Sequence, residues 1–157
     1  MKILDACCGS KLFWFDKDNE YTTYMDKRRE TFDIHGKHVD VQPDIVADFR
    51  KMPFENDSYD LVVFDPPHLK WAGKSSIMKA QYGQLDKDDW PADIKQGLSE
   101  CMRVLKPTGT LIFKWNEAQV SLNQLLDAIA PYTPYFGNRS NKKASTHWLI
   151  FGKEQVA

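Results

Sequence analysis

Cysteine is scarce: Cys7, Cys8 and Cys101 are the only three in 157 residues. Two of them are adjacent and the count is odd, which speaks against a disulfide framework and for reduced thiols. No apolar run approaches the ~18 residues of a membrane span, and no charged-then-apolar segment opens the chain. The expectation is a soluble, cytoplasmic protein with no membrane partner. Charge of one sign is lacking too. The 21 Lys and Arg against 22 Asp and Glu leave a net charge of −1. This is not the basic signature of an autonomous DNA-binding domain, although it leaves room for a local basic patch. Histidine is limited to four residues. His35 and His38 stand close together, but no further His or Cys lies at ligand spacing, so no metal site is expected. Internal repeats and low-complexity linkers are absent, and the length suits one domain spanning 1–157.

What is present suffices for an ordinary core: 42% apolar residues, 13% aromatic and 27% charged. Ile3-Leu4-Asp5 followed by Ala6-Cys7-Cys8-Gly9 reads as a buried strand entering a tight turn. Lys11 to Lys17 reads as a short helix. Tyr21 to Met25, closed by Asp26, is a second strand. Residues 27–44 show no stable period and read as irregular. Ile45-Val46-Ala47 is a third strand, ending at Asp48. Tyr59 to Phe64 is the clearest buried strand, and Asp65-Pro66-Pro67 stops it because proline cannot donate to a ladder.

Residues 68–88 read as a long loop on the substrate side, a length that usually carries function. From Trp90 to Leu105 one apolar stripe, Ile94, Leu98, Cys101, Met102 and Leu105, predicts a helix behind Asp89. Thr110 to Trp115 is a strand. Ser121 and Gln124 form a capping box for a helix with Leu122, Leu125, Leu126 and Ile129 inward. Tyr135-Phe136 and His147 to Phe151 read as two late strands. The alternation predicts an α/β fold with a doubly wound, mostly parallel sheet and a C-terminal antiparallel hairpin.

Ligands of such sheets sit at the carboxyl ends of the strands. Four strand ends here carry an acid: Asp5, Asp26, Asp48 and Asp65. Asp5 and Asp26 are 21 residues apart, the span of one strand–connection–strand unit, which puts the second acid where it can accept from a ribose hydroxyl. Gly9 lets the backbone approach a ligand closely. No G-x-G-x-x-G occurs, so a pyrophosphate cradle is poorly supported. A cofactor with a ribose and a cationic centre, and without phosphates, fits better.

With these residues in view, the chain resembles the class I, Rossmann-like methyltransferases that use S-adenosylmethionine. Asp5-Ala6-Cys7-Cys8-Gly9 looks like their first motif, with Lys11 where a third glycine is usual. Asp26 matches their ribose-binding acid, and Asp48-Phe49 resembles the pair that touches adenine. Asp65-Pro66-Pro67-His68 resembles the [DNS]-P-P-[YFWH] motif of amino methyltransferases. The likeness spans nearly the whole chain and is closest to small stand-alone enzymes of phages and bacteria. It implies S-adenosylmethionine as cofactor, bound by Asp5, Ala6, Cys7, Cys8, Gly9, Asp26, Asp48, Phe49 and Asp65. It also implies catalysis at Asp65, Pro66, Pro67 and His68.

An exocyclic amine on a base shares its lone pair with the ring and is a poor nucleophile. Accepting its N–H groups at Asp65 and the Pro66 carbonyl favours a more nucleophilic nitrogen, and Asp65 can take the proton. The expected reaction is methyl transfer to an amino nitrogen, foremost on a nucleobase of DNA or RNA. Alternatives are an acceptor on a protein side chain or small molecule, or a catalytically idle partner subunit. Asp48 could simply cap a turn, and His68 could stack on the acceptor or bond within its loop. Cys7 and Cys8 read as small fillers. Lys70, Trp71, Lys74, Lys79 and Tyr82 interleave charge with aromatics, which suits either a nucleic-acid grip or a solvated lid. Arg139, Lys142 and Lys143 read as a solvated loop. Trp115 or Asn116 is expected near the acceptor.

Overall fold

The computed structural model describes residues 1–138 and 145–153. Its strands are β1 (Ile3–Asp5), β2 (Thr22–Asp26), β3 (Glu30–Ile34), β4 (Lys37–Val41), β5 (Ile45–Val46), β6 (Tyr59–Phe64), β7 (Leu105–Asn116), β8 (Phe136–Gly137) and β9 (Thr146–Gly152). Its helices are α1 (Ile77–Tyr82), α2 (Trp90–Val104) and α3 (Leu122–Ile129). Arg139, Lys142 and Lys143 lie outside the described residues.

One sheet has the order β5-β2-β1-β6-β7-β9-β8. Strands β5, β2, β1, β6 and β7 run parallel, whereas β9 is antiparallel to both β7 and β8. This is the mostly parallel α/β sheet with a late antiparallel pair that the alternation predicts. The chain order reverses between β1 and β6, so the carboxyl ends of these two strands flank the switch point. Leu4, Val62, Phe64, Leu111 and Phe113 are fully buried in the sheet. On α2, Ile94, Leu98, Cys101 and Met102 form the expected buried stripe. Each large apolar side chain so buried contributes about 1.5–3 kcal/mol. The capping box opens α3: Gln124 N–H donates to Ser121 Oγ at 3.2 Å and Ser121 N–H to Gln124 Oε1 at 3.0 Å.

Four local expectations are corrected. Lys11 to Lys17 is a series of turns, not a helix. Lys11 has φ +54, and Asp16 and Asn19 accept from Asp18 N–H and Tyr21 N–H at 3.0 and 3.1 Å. Such side-chain acceptors offer the backbone an alternative to helical bonding. Residues 27–44 are not irregular throughout, because β3 and β4 form a hairpin in register from Glu30–Val41 to Ile34–Lys37. His35 and Gly36, with φ +49 and +74, supply the left-handed pair that a two-residue hairpin turn needs. The 68–88 loop contains α1, opened by Lys79 N–H donating to Ser76 Oγ at 3.2 Å. Strand β7 begins at Leu105 rather than Thr110. Its register against β6 shifts between Tyr59 and Leu61, an irregularity that accommodates Pro107.

Candidate active site

The turn after β1 crosses the ends of its two neighbours. Ala6 N–H donates to the Val63 carbonyl of β6 at 2.9 Å, and Cys8 N–H to the Met25 carbonyl of β2 at 2.8 Å. Gly9 then takes φ +49, a left-handed conformation that costs a residue with a Cβ about 1–2 kcal/mol. Its N–H donates to Asp26 Oδ2 at 2.9 Å. Asp26 Oδ1 accepts from Arg28 N–H at 2.9 Å and Arg28 Nε at 3.3 Å. Oδ1 accepts twice and Oδ2 once, which leaves Oδ2 a lone pair for a hydroxyl donor.

Two adjoining cavities open here and share Cys7, Asp26 and Tyr82. The first adds Ala6, Phe49 and Pro67 to its walls, and the second adds Cys8, Gly9 and Asp65. The structure therefore brings together eight of the residues singled out above: Ala6, Cys7, Cys8, Gly9, Asp26, Phe49, Asp65 and Pro67. Asp5, Asp48, Pro66 and His68 line neither cavity.

Asp5 lies beneath the turn, fully buried. Its Oδ1 accepts from Cys7 N–H at 3.2 Å and its Oδ2 from Trp14 Nε1 at 2.7 Å. Burial pushes its pKa up to about 7 against those two bonds, helped by the charges of Asp65 and Asp26. Asp48 caps a turn instead of facing the cavity. Arg50 donates to it through N–H, Nε and Nη2 at 2.8–3.0 Å and reaches on to Asp93 of α2. The Arg50 guanidinium holds the Asp48 carboxyl below its usual range. Burial raises both the Cys7 and Cys8 thiols, which keeps them protonated and unsuited to nucleophilic attack.

Asp65 is 7% exposed and pairs with Lys114 Nζ at 2.8 Å. Burial raises its carboxyl, and the Lys114 charge and hydrogen bond pull it back. His68 is buried against Tyr82, ring centroids 5.9 Å apart. Burial lowers its pKa, and the Lys114 charge adds to that, so the imidazole is neutral near pH 7.

Above the cavities sits the segment that carries α1. Arg28 Nη1 donates to the Ala80 carbonyl at 2.8 Å and Nη2 to the Gln81 carbonyl at 3.2 Å. A cation at a helix C-terminus is favourable, so this latch closes α1 over the turn. Trp71 is 74% exposed. Its backbone is pinned by Gln119, whose Oε1 accepts from Trp71 N–H at 3.0 Å and whose Nε2 donates to the Trp71 carbonyl at 2.7 Å.

Trp115 does not reach the acceptor side. It is core, 1% exposed, with Nε1 donating to the Val120 carbonyl. Alternation along β7 buries Leu111, Phe113 and Trp115 on one face and turns Lys114 to the other. Lys114, Arg28, Trp14 and Tyr82 are the site residues that sequence reasoning did not single out for these roles. Two signals pointed to Lys114: its place at the end of a strand, on the side of the sheet where ligands sit, and its strand parity.

No protein-family model matches the chain, and no curated protein matches it in sequence. Solved structures match its fold. The PH0226 protein of Pyrococcus horikoshii superposes with a TM-score of 0.62 at 17% identity, over 96% of this chain and 81% of that one. The N-methyltransferase NodS of Bradyrhizobium japonicum gives 0.57 at 10% identity, over 96% and 84%. A TehB-like SAM-dependent methyltransferase of Corynebacterium glutamicum gives 0.55 at 14% identity, over 97% and 79%. Two larger neighbours are covered over only 63% and 52% of their length. At these identities the likeness extends to the architecture, and the chain has the class I methyltransferase-like fold.

Proposed function

We propose that this chain is an S-adenosylmethionine-dependent methyltransferase acting on an amino nitrogen, foremost that of a nucleobase. One observation carries the reading. Asp65, at the end of β6, borders the same cavity as Gly9 and Asp26 at the ends of β1 and β2. A proline-stiffened acid thus stands at the switch point beside a glycine turn and a second acid.

The cavities suit the cofactor. Phe49 offers an apolar wall for a flat ring, Asp26 an acceptor for ribose hydroxyls, and Gly9 a surface without a side chain. When bound, S-adenosylmethionine supplies an electrophilic methyl group on a sulfonium. Asp65 and the Pro66 carbonyl would accept from the amine, orient its lone pair and keep it tetrahedral. Once the amine had taken that methyl group, its proton would pass to Asp65. The raised carboxyl of Asp65 makes it a better base than an exposed aspartate. Lys114, paired with it, favours a neutral acceptor, which a nucleobase amine is and an alkylammonium is not.

Two measurements test this. Calorimetric titration should show binding of S-adenosylmethionine and of its demethylated product, with no binding of NAD. A labelled-methyl assay run in parallel on DNA, RNA, cell protein and metabolite extract should label nucleic acid. A flat titration removes the cofactor assignment. Label confined to protein or metabolites moves the acceptor.

A further inference from the structure

Resting on the proposed reading, Asp65 receives the acceptor amine, yet a cation already stands on it. Lys114 Nζ makes the only hydrogen bond to this carboxylate among the described residues, at 2.8 Å to Oδ2. The Lys114 side chain is 18% exposed. Three rings surround its ammonium, Phe13, Tyr82 and Trp148, with centroids 5.2, 5.4 and 5.7 Å away. They come from the β1–β2 connection, α1 and β9. Phe13 meets Trp148 edge to face at 5.6 Å. Ring faces attract a cation, so the cage holds the ammonium in place. Phe13 and Tyr82 also line the cavity that Asp65 borders.

Two consequences follow. The pair Asp65–Lys114 is neutral as a whole, so the carboxylate exerts little net pull on a second cation, and the ammonium repels one at short range. Lys114 also has N–H groups beyond the one that Asp65 takes. Left facing a CH₂ group in a partly buried site, a polar N–H loses its hydrogen bond to water without replacement. We infer that Lys114 is a specificity-determining residue: it excludes alkylammonium acceptors and donates to the atom beside the methylated amine, selecting a neutral NH₂ conjugated to a ring nitrogen, as on the amidine edge of adenine or cytosine. Donor and acceptor thus stand side by side, the complement of that edge. Two more polar atoms nearby lack a hydrogen-bond partner among the described residues: Ser10 Oγ, on the wall of the cavity that Asp65 borders, and His68 Nε2. Both atoms are buried, as expected where a polar ligand completes the set.

The test uses four single-stranded oligonucleotides and one peptide. The oligonucleotides carry adenine, 1-deazaadenine, cytosine or 3-deazacytosine, the deaza bases lacking the ring nitrogen beside the amine. The peptide carries lysine. The parent should methylate adenine or cytosine at least ~10-fold faster than the matching deaza base, and leave the peptide unmodified. Lys114→Gln keeps a donor and loses the charge. It should retain the deaza penalty and begin to accept the peptide. Lys114→Met should lose the penalty, with deaza and natural bases modified at similar low rates. A residue that only supported Asp65 would lower every rate alike and leave the ratios untouched. Equal rates on natural and deaza bases in the parent overturn the inference alone, as does a full penalty in Lys114→Met. Labelling of the peptide and of no oligonucleotide, or of no probe at all, overturns the nucleobase reading and the inference together.

Discussion

Asp26 Oδ2 accepts a hydrogen bond from Gly9 N–H at 2.9 Å, joining the end of β2 to the turn that follows β1. The same carboxylate holds Arg28 through Oδ1, and Arg28 in turn holds the carbonyl end of α1. One acid therefore connects the floor of the candidate cofactor site to the segment that covers it.

Gly9→Ala should damage both fold and site. The added Cβ would lie 2.9 Å from the Gln81 carbonyl oxygen, in a backbone at φ +49. Strain of this kind costs about 1–3 kcal/mol. Urea denaturation should show that loss, and calorimetry should show a larger loss of affinity for S-adenosylmethionine. A variant as stable as the parent would mean that α1 yields freely.

Asp26→Ala should weaken S-adenosylmethionine binding by about 1–3 kcal/mol, the range for hydrogen bonds to a charged group. It also releases Gly9 N–H and Arg28, so amide exchange over residues 77–83 should speed up. Unchanged affinity would take Asp26 out of the binding site, whatever happened to the exchange.

At Asp65, chemistry should separate from binding. Asp65→Ala should retain most cofactor affinity and lose on the order of 10²–10³ in turnover, with kcat and kcat/KM falling together. Asp65→Asn keeps an acceptor and loses the base. Substantial activity in Asn but not in Ala would assign the role to positioning. Full activity in Ala would leave the motif without a catalytic part and favour an idle subunit.

Asp5 predicts a pH dependence of stability. Its folded pKa is about 7, raised from 3.8 chiefly by burial. Between those values the folded chain holds a proton that the unfolded chain has released. Stability from this group is therefore greatest below pH 4 and declines as pH rises toward 7. Asp5→Asn removes the titration. Its stability relative to the parent should rise by a few kcal/mol between about pH 4 and pH 8. Denaturant unfolding across that range measures the difference, and a constant offset between the two proteins would contradict the raised pKa.

The strands were legible because each is an apolar run stopped by a local signal: Asp5 before the glycine turn, Asp26, and Asp65 before two prolines. Helix α2 was legible from its stripe and α3 from its capping box. The hairpin β3–β4 was missed because its turn, His35-Gly36, uses a histidine in a left-handed conformation, and only the glycine announces that. Helix α1 was missed because its six residues bury no side chain and so write no apolar period. The expected helix at Lys11–Lys17 failed through contacts that periodicity does not encode. The Trp14 indole turns in to Asp5, and Asp16 and Asn19 take the backbone donors.

By itself, the sequence determined the main strands of the sheet and the helices α2 and α3, where acids and glycines close them, and that the architecture is a mostly parallel α/β sheet. These follow from spacing along the chain, which sets the face on which each side chain lies. Only the tertiary structure decided which of the acids share a cavity. Asp26 and Asp65 do, because β1 lies between β2 and β6. Asp48 does not, because Arg50 claims it. The pairing of Asp65 with Lys114, 49 residues apart, depends on β6 and β7 being neighbours and on the strand parity that points Lys114 away from the buried Trp115. Neighbour relations between strands are set by how the whole sheet buries its apolar faces, and no local stretch of residues carries that information.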